Sequence, residues 1–228
     1  MSYTLYGYDR NPRTRIIRIV APAGGLDMSE FTVIPRKNLN KDVLLEKFPR
    51  SSGKIPALES PAVRLTETIA IAVYLARVSG SNALLGDASP EQEAEVLSWV
   101  SWANQELLGT LAKWFLPLIP NFLVPAPYDY DSVEEGKRAS LSMLKTLETS
   151  LGNHTYLVGS GVTLADIFLS VVLSRGLEWV LDETWRSRHP NCMRHFDMMR
   201  RWGPVQRVIP EFKLIEKETP NLHPVQRT

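Results

Sequence analysis

The sequence predicts a small α/β unit followed by a larger all-α unit, and three observations support this prediction. A strand, a helix and a second strand fit within residues 1–35, the length of a βαβ unit. Residues 80–90 (GSNALLGDASP) are rich in turn formers and lack helical periodicity. Beyond them the strand alternation disappears and apolar residues recur at helical spacing. We therefore expect a first domain over residues 1–80, a linker over 81–89, and an all-helical domain with an irregular tail over 90–228.

The first unit is expected to follow the order β-α-β-α-β-β-α. Tyr3–Tyr8 (YTLYGY) alternates as a strand does, and Pro12 suits the first turn of a helix. We expect Pro22 and Gly24-Gly25 to end that helix. The later predicted elements are a strand over Glu30–Pro35, a short amphipathic segment over Lys41–Phe48, a hairpin of Ala57–Ser60 with Ala62–Leu65, and a helix over Thr68–Val78.

In the second unit, helical spacing runs from Leu97 to Phe115 and includes Asn104 among apolar residues. Further helices are predicted around residues 141–151, after VTLAD, and over Asn191–Arg201, whereas the proline-rich residues 117–130 predict a break. In VTLAD, Thr163 and Asp166 have the spacing of a capping box. We therefore assign Asp166 a structural role and not a catalytic one.

Composition excludes several functional classes. The chain has 228 residues, 44% of them hydrophobic and 22% charged, which is typical of a folded globular protein. A net charge of +1 argues against nucleic acid or an anionic membrane as the main partner. Residues 1–80 hold 12 Lys and Arg against 7 Asp and Glu, so this part would suit an anionic small molecule; a chance surface balance explains it equally well.

The single cysteine, Cys192, excludes an internal disulfide or a cluster of thiolate metal ligands, and a buried structural thiol is the favoured interpretation. The N-terminal residues MSYTLYGYDRNPRTR lack the apolar core of a signal peptide. No apolar run approaches the ~20 residues of a membrane span. The sequence thus predicts a cytoplasmic protein.

The stretch GKIPALESPAVRLTET carries the candidate binding residues. Pro56 precedes the third strand and is a candidate cis-proline, which would turn the main chain of Ile55 outward to pair with an extended peptide. The first amides of the helix at Thr68 would bind a carboxylate, Glu67 an ammonium, and Lys54 a second carboxylate. Glu67 alone would more simply complement the helix dipole. Together these residues predict a short, peptide-like zwitterionic ligand.

GKIPALE, LTETIAIAVYLA and VTLAD, at this spacing, resemble the cytosolic glutathione transferases over nearly the whole chain. The resemblance implies a thioredoxin-like first domain and a helical second domain, usually in a homodimer. It implies glutathione as co-substrate, with Ile55 pairing the cysteinyl backbone, Glu67 and Thr68 holding the γ-glutamyl head, and Lys54 the glycyl carboxylate. The implied reaction conjugates glutathione to hydrophobic electrophiles, a detoxification activity.

Other segments are more similar to the transferase-like domain of the gamma subunit of the eukaryotic translation elongation factor one complex. They are KFPRSSGKIPALE, HPNCMRHFDMMR and PVQRVIPEFKLIEKETP. This resemblance implies an alternative function, a weakly catalytic or non-catalytic scaffold that binds other subunits of that complex. Both a free-standing relative and a domain of a longer subunit fit the sequence.

Activation of the glutathione thiol needs a hydrogen-bond donor or a positive charge at the start of the first helix. Asn11 stands where the family often has serine; its amide donates a hydrogen bond but does not ionise. Arg13 would stabilise a thiolate by charge, and Thr14 offers a hydroxyl. Strand tyrosines are alternatives, for which ordinary packing is the default: Tyr3, Tyr6 and Tyr8.

An aromatic group in the helical domain is a candidate wall for the electrophile site, although core packing is the commoner role of aromatics at helical spacing. Its members are Trp99, Trp102, Trp114, Phe115 and Phe122, with Trp114, Phe115 and the following loop favoured as the wall. A thiol–disulfide reductase on the same fold is disfavoured, because no cysteine lies near Asn11.

Overall fold

The structure is a computed structural model that describes residues 2–80, 82–87, 89–119, 128–209 and 211–223. Phe122 and most of the predicted proline-rich break lie outside the described residues. Among the helices that are described, none is both long enough and apolar enough to cross a membrane.

A four-stranded mixed sheet forms the centre of the first domain. Its strands are β1 (Tyr3–Gly7), β2 (Met28–Thr32), β3 (Ala57–Glu59) and β4 (Arg64–Thr66), in the spatial order β2-β1-β3-β4. β1 pairs in parallel with β2 and antiparallel with β3, and β3 forms an antiparallel hairpin with β4. This arrangement confirms the predicted order of elements.

The described helices divide between the two domains. The first domain contains α1 (Pro12–Ala23), α2 (Lys41–Lys47) and α3 (Thr68–Val78). The second contains α4 (Pro90–Ser101), α5 (Leu108–Phe115), α6 (Tyr130–Leu151), α7 (Leu164–Trp179), α8 (Glu183–Ser187), α9 (Pro190–Arg201) and α10 (Gly203–Gln206). The predicted helix over Thr68–Val78 is confirmed in full.

Two predicted strand boundaries in the first domain were wrong, and the predicted end of α1 was right. β2 begins earlier and ends at Thr32, because its register along β1 runs from Met28 to Thr32 and the chain turns at Pro35. The hairpin turn takes up Pro61 and Ala62, because the Ser60 amide donates to the Val63 carbonyl. α1 ends at Ala23 with Gly24 as its C-cap, as predicted, and Pro22 lies within its last turn.

The stripe from Leu97 to Phe115 does not form one regular helix. A π-helical turn, Trp102–Leu107, separates α4 from α5. Such turns are rare and occur mostly as single insertions, often at functional sites. The spacing of apolar residues did not predict it, because the stripe keeps a spacing of three or four positions through the turn.

One core joins the two domains. α1 packs on α3 within the first domain and on α7 and α10 of the second. Ile16, Ile19 and Val20 of α1 share a buried cluster with Val100 of α4 and Phe168 of α7, among others. The relative position of the domains is therefore set by packing, and both contribute walls to the cleft described next.

Two structural predictions in the helical domain are confirmed. Thr163 and Asp166 form the capping box at the start of α7, and the Asp166 carboxylate accepts from the Thr163 amide at 2.9 Å. Cys192 is a buried free cysteine, and burial, followed by the neighbouring Glu148, raises the pKa of its thiol.

Candidate functional site

A cleft of about 1150 Å³ lies where α1 begins, where β3 and α3 begin, and along α4 and the π-helical turn. The predicted site residues that line it are Asn11, Arg13, Lys54, Ile55, Pro56, Glu67 and Thr68. Thr14 is absent from the lining. The structure therefore brings the predicted binding residues and two of the three predicted thiol-activating residues into one space.

Residues 54–56 form the wall of the cleft that precedes β3. The Ile55–Pro56 peptide bond is cis, as predicted. Within the described residues, the N–H and C=O of Ile55 have no hydrogen-bond partner in the chain. The Lys54 side chain is exposed at the rim, while its own amide donates to the Ser51 carbonyl. An extended peptide would find unpaired main-chain groups here, next to a free ammonium.

The start of α3 lines the cleft beside this segment, because Ala57 of β3 pairs with Thr66, the residue before Glu67. Glu67 is the N-cap residue, and its side chain is exposed and makes no cap hydrogen bond. No partner exists among the described residues for the amides of Thr68, Ile69 and Ala70, as expected of a first helical turn. A carboxylate ligand would satisfy such amides, and the adjacent Glu67 carboxylate would pair with an ammonium.

The backbone of Glu67 has an unusual conformation, with φ 71° and ψ 118°. A non-glycine residue with positive φ is uncommon, and such strain is found preferentially at binding and active sites. Glu67, with this conformation, lines the cleft at the start of α3. No sequence pattern indicated this conformation.

Asn11 caps α1, and this use limits its chemistry. Its Oδ1 accepts from the Thr14 amide at 2.9 Å and from the Thr14 hydroxyl at 3.3 Å. Its side-chain NH₂ is the remaining donor group of this cleft-lining residue. The first turn of α1 offers a second donor. Pro12 has no N–H, and the Arg13 amide has no partner in the described chain.

Thr14 lies beneath Asn11 and outside the cleft. It is fully buried and packs on the end of β1, so closely that a Cβ added at Gly7 would lie 2.5 Å from Thr14 Oγ1. Its hydroxyl donates to Asn11. The structure thus gives Thr14 a position from which it supports Asn11 and does not reach a ligand.

Arg13 reaches across the domain boundary to Asn104 of the π-helical turn. Arg13 Nε donates to Asn104 Oδ1 at 3.0 Å, and Arg13 Nη2 donates to the Asn104 carbonyl at 2.9 Å. Burial lowers the pKa of the Arg13 guanidinium, and the nearby Glu67 carboxylate opposes this effect. Sequence reasoning missed Asn104; a polar residue at an apolar position of the helical stripe was the available signal.

Of the three strand tyrosines, only Tyr8 lines the cleft. Tyr3 is buried and packs edge-on against Tyr74. Tyr6 is also buried, and its hydroxyl donates to Glu59 at 2.6 Å. Packing is thus the role of Tyr3 and Tyr6, while Tyr8 stands beside the predicted thiol position.

The prediction that Trp114 and Phe115 form a wall of the electrophile site was wrong. Trp114 and Phe115 are almost fully buried in the core of the helical domain, with 1% and 2% of their surface exposed. Trp99 and Trp102 are partly buried and meet edge to face, with ring centroids 5.4 Å apart. The helical-domain residues that do line the cleft are Leu97, Asn104 and Gln105.

Two family models match the chain, one for each domain. The model of the glutathione S-transferase N-terminal domain matches residues 1–77, and that of the C-terminal domain matches residues 110–201. Among curated relatives, glutathione S-transferase stcT of Emericella nidulans is 31% identical over 95% of this chain and 96% of its own length.

Elongation factor 1-gamma of Schizosaccharomyces pombe is similarly related, at 32% identity over 95% of this chain and 51% of that protein. The chain thus spans about half the length of this relative. The solved GST-like domain of elongation factor 1-gamma from Saccharomyces cerevisiae covers 97% of this chain and 99% of that one, with 27% identity and a TM-score of 0.80.

A glutathione S-transferase of Methylobacterium radiotolerans, solved with glutathione sulfonate, has the same fold at 20% identity and a TM-score of 0.74, over 96% of this chain and 99% of its own. The sheet of the first domain, the helical second domain and the matches to both family models agree. The chain belongs to the glutathione S-transferase family.

Proposed function

We propose that the chain binds glutathione in this cleft and conjugates it, through its sulfur, to a hydrophobic electrophile. The observation that carries the proposal is the juxtaposition, in one cleft, of unpaired main-chain groups at Ile55, unpaired amides at the start of α3, and the Glu67 carboxylate. These groups match the centre and the amino-acid head of a γ-glutamyl tripeptide.

In the proposed complex the γ-glutamyl carboxylate accepts from the amides that begin α3, and the ammonium pairs with Glu67. The cysteinyl N–H and C=O pair with the main chain of Ile55 in the manner of an added strand. Lys54 pairs with the glycyl carboxylate. This orientation directs the cysteinyl sulfur toward the start of α1.

At the start of α1 the thiol meets three groups that favour its ionised form. The Asn11 NH₂ and the Arg13 amide donate hydrogen bonds, and the Arg13 guanidinium supplies positive charge. The thiol loses its proton to solvent, and the thiolate forms a bond to an electrophilic carbon of the second substrate. A leaving group departs with its bonding pair, or an activated double bond takes up the electrons and a proton.

A scaffold function is the second candidate, and the similarity to elongation factor 1-gamma favours it as strongly as the similarity to stcT favours the enzyme. Asn11 supports it as well, because a side chain without an ionisable hydroxyl is a weak activator of a thiol. In this case the domain keeps a glutathione site with little or no turnover and binds other translation-factor subunits. We expect a cytoplasmic homodimer in either case.

The first test measures retention of the purified chain on immobilised glutathione and its turnover of 1-chloro-2,4-dinitrobenzene with glutathione. If the chain is an enzyme, we expect both retention and turnover. Retention without turnover favours the scaffold, and a wild-type chain that does neither contradicts the glutathione site.

The variant Glu67→Ala tests the location of the site. It is expected to lose retention while its circular dichroism stays unchanged. A matched control is Glu135→Ala, which removes an exposed carboxylate from α6, away from the cleft, and is expected to be retained as wild type is. Equal retention of the two variants would rule out Glu67 as the ammonium partner.

A further inference from the structure

The π-helical turn changes which carbonyl is available at the domain boundary. In an α-helix the Leu108 amide would donate to the Asn104 carbonyl, four residues earlier. Here the Leu108 amide donates to the Ala103 carbonyl instead, five residues earlier. The Asn104 carbonyl then accepts from Arg13 Nη2 at 2.9 Å. The extra residue in the turn therefore presents a main-chain acceptor to the first domain.

The side chain of Asn104 supplies a second acceptor on the same arginine. Its Oδ1 accepts from Arg13 Nε at 3.0 Å, and Asn104 is 9% exposed. Two acceptors from one residue fix both the position and the plane of the guanidinium, as a bidentate partner does. Both acceptors are neutral, so Arg13 keeps its positive charge without a tight ion pair.

The remaining charge balance around Arg13 favours an anion in the cleft. Glu67 is the charged group whose field acts on Arg13 and stabilises its protonated form. In the proposed complex the ligand ammonium pairs with Glu67 and offsets the charge of its carboxylate. A thiolate at the start of α1 would then lie in the same cleft as the Arg13 guanidinium.

We propose that Asn104 is a positioning residue: through the π-helical turn it holds the Arg13 guanidinium against the cleft, where Arg13 stabilises the glutathione thiolate. This inference rests on the proposed function. The inference also explains the π-helical turn. In an α-helical register the Asn104 carbonyl would accept from the Leu108 amide of its own helix. The inference makes thiol activation depend on how the helical domain sits against the first.

The test titrates the thiol of bound glutathione, followed by thiolate absorbance near 240 nm, at glutathione concentrations that saturate each variant. Arg13→Met is expected to raise the thiol pKa by roughly 1–3 units, the effect of removing a nearby opposite charge. Asn104→Ala is expected to raise it by a smaller amount. Arg13→Lys keeps the charge but gives up the bidentate grip, and should also raise it.

The double variant Arg13→Met/Asn104→Ala distinguishes positioning from a general structural effect. If Asn104 acts through Arg13, the double variant titrates like Arg13→Met alone, because nothing is left to position. Additive shifts would overturn the inference. An unchanged thiol pKa in Arg13→Lys would also overturn the inference. This measurement does not depend on whether Asn104→Ala folds.

Two further controls separate this inference from the function on which it rests. Glu106→Gln alters an exposed side chain of the same turn outside the cleft lining and should titrate as wild type does. Wild type without any bound-thiol titration would refute both the function and the inference. If the bound thiol titrates in wild type and has the same pKa in Asn104→Ala, the inference is refuted and the proposed function is not.

Discussion

Asp166 and His195 form a hydrogen bond of 2.8 Å between the start of α7 and the middle of α9, with both side chains fully buried. The same carboxylate accepts from the Leu157 amide, and from the amide and hydroxyl of Thr163. A residue expected to cap one helix thus ties together two helices and the segment that precedes α7.

This network predicts a large stability effect at Asp166. Asp166→Ala leaves several buried donors without an acceptor, so we expect the free energy of unfolding to fall by about 3–5 kcal/mol. Asp166→Asn keeps one acceptor oxygen and should lose less. Urea denaturation followed by circular dichroism measures both.

The matched control is Asp129→Ala, which removes the cap of α6 at an exposed position where the carboxylate accepts only from the Ser132 amide in the described chain. An ordinary cap is worth about 0.5–2 kcal/mol. Equal losses for Asp166→Ala and Asp129→Ala would contradict the importance assigned to the buried network.

The positive φ of Glu67 predicts that glycine and alanine at this position differ in stability but not in binding. Glycine adopts this conformation without a Cβ clash, whereas alanine does not. Glu67→Gly should therefore exceed Glu67→Ala in free energy of unfolding by about 1 kcal/mol, after allowance for the flexibility of glycine in the unfolded chain. Neither variant retains the carboxylate, so both should fail to bind glutathione. Greater stability of the alanine variant would argue against strain at Glu67.

Lys54 is expected to select the glycyl end of the tripeptide. Wild type should bind glutathione more tightly than γ-glutamylcysteine, which lacks the glycyl carboxylate. Lys54→Ala should bind the two ligands with similar affinity, because the partner of that carboxylate is gone. Competition against a fluorescent glutathione conjugate measures both affinities.

Lys145→Ala, at an exposed position of α6, is the control for the lost charge and should keep the wild-type preference. If Lys54→Ala still binds glutathione more tightly than γ-glutamylcysteine, the glycyl carboxylate pairs with a cation other than Lys54.

Glu59 gives the stability of the first domain a defined pH dependence. Its carboxylate accepts from Lys47 and from Tyr6, each at 2.6 Å, and these hydrogen bonds lower its pKa to about 2. A group whose pKa is lower in the folded state stabilises the fold above its unfolded-state pKa, and this contribution is lost as the pH falls toward the folded-state value. We expect the free energy of unfolding to decline from roughly pH 5 downward for this reason.

Glu59→Gln removes the titrating group and should flatten the decline over the acid range, although it lowers stability at neutral pH. Denaturation curves between neutral and acid pH test this. The same slope in wild type and Glu59→Gln would show that other carboxylates cause the acid dependence.

Local patterns predicted most of the fold, because each pattern had a local physical cause. Alternation and proline placement located β1 and α1, and the capping box located α7. The errors arose where pairing partners decide, as at β2, whose ends are set by its register along β1. Trp114 and Phe115 were misassigned because helical spacing does not tell which apolar face meets a cavity.

The site was predictable where its residues are neighbours in sequence. Residues 54–56 and 67–68 lie in one short stretch, so their chemistry could be considered together. Asn104 is 91 positions from Arg13, and its contact depends on a π-helical turn that apolar periodicity does not reveal. The conformation of Glu67 was equally hidden, because no sequence rule places a glutamate at positive φ.

The most direct test of the account is a calorimetric titration of glutathione into wild type and into Glu67→Gln, which keeps the size of the side chain and removes its charge. The account predicts measurable binding to wild type and an affinity at least about tenfold lower in the variant, as expected when a charged ligand group loses its partner. Equal affinities, or no binding to wild type at a glutathione concentration of several millimolar, would contradict it.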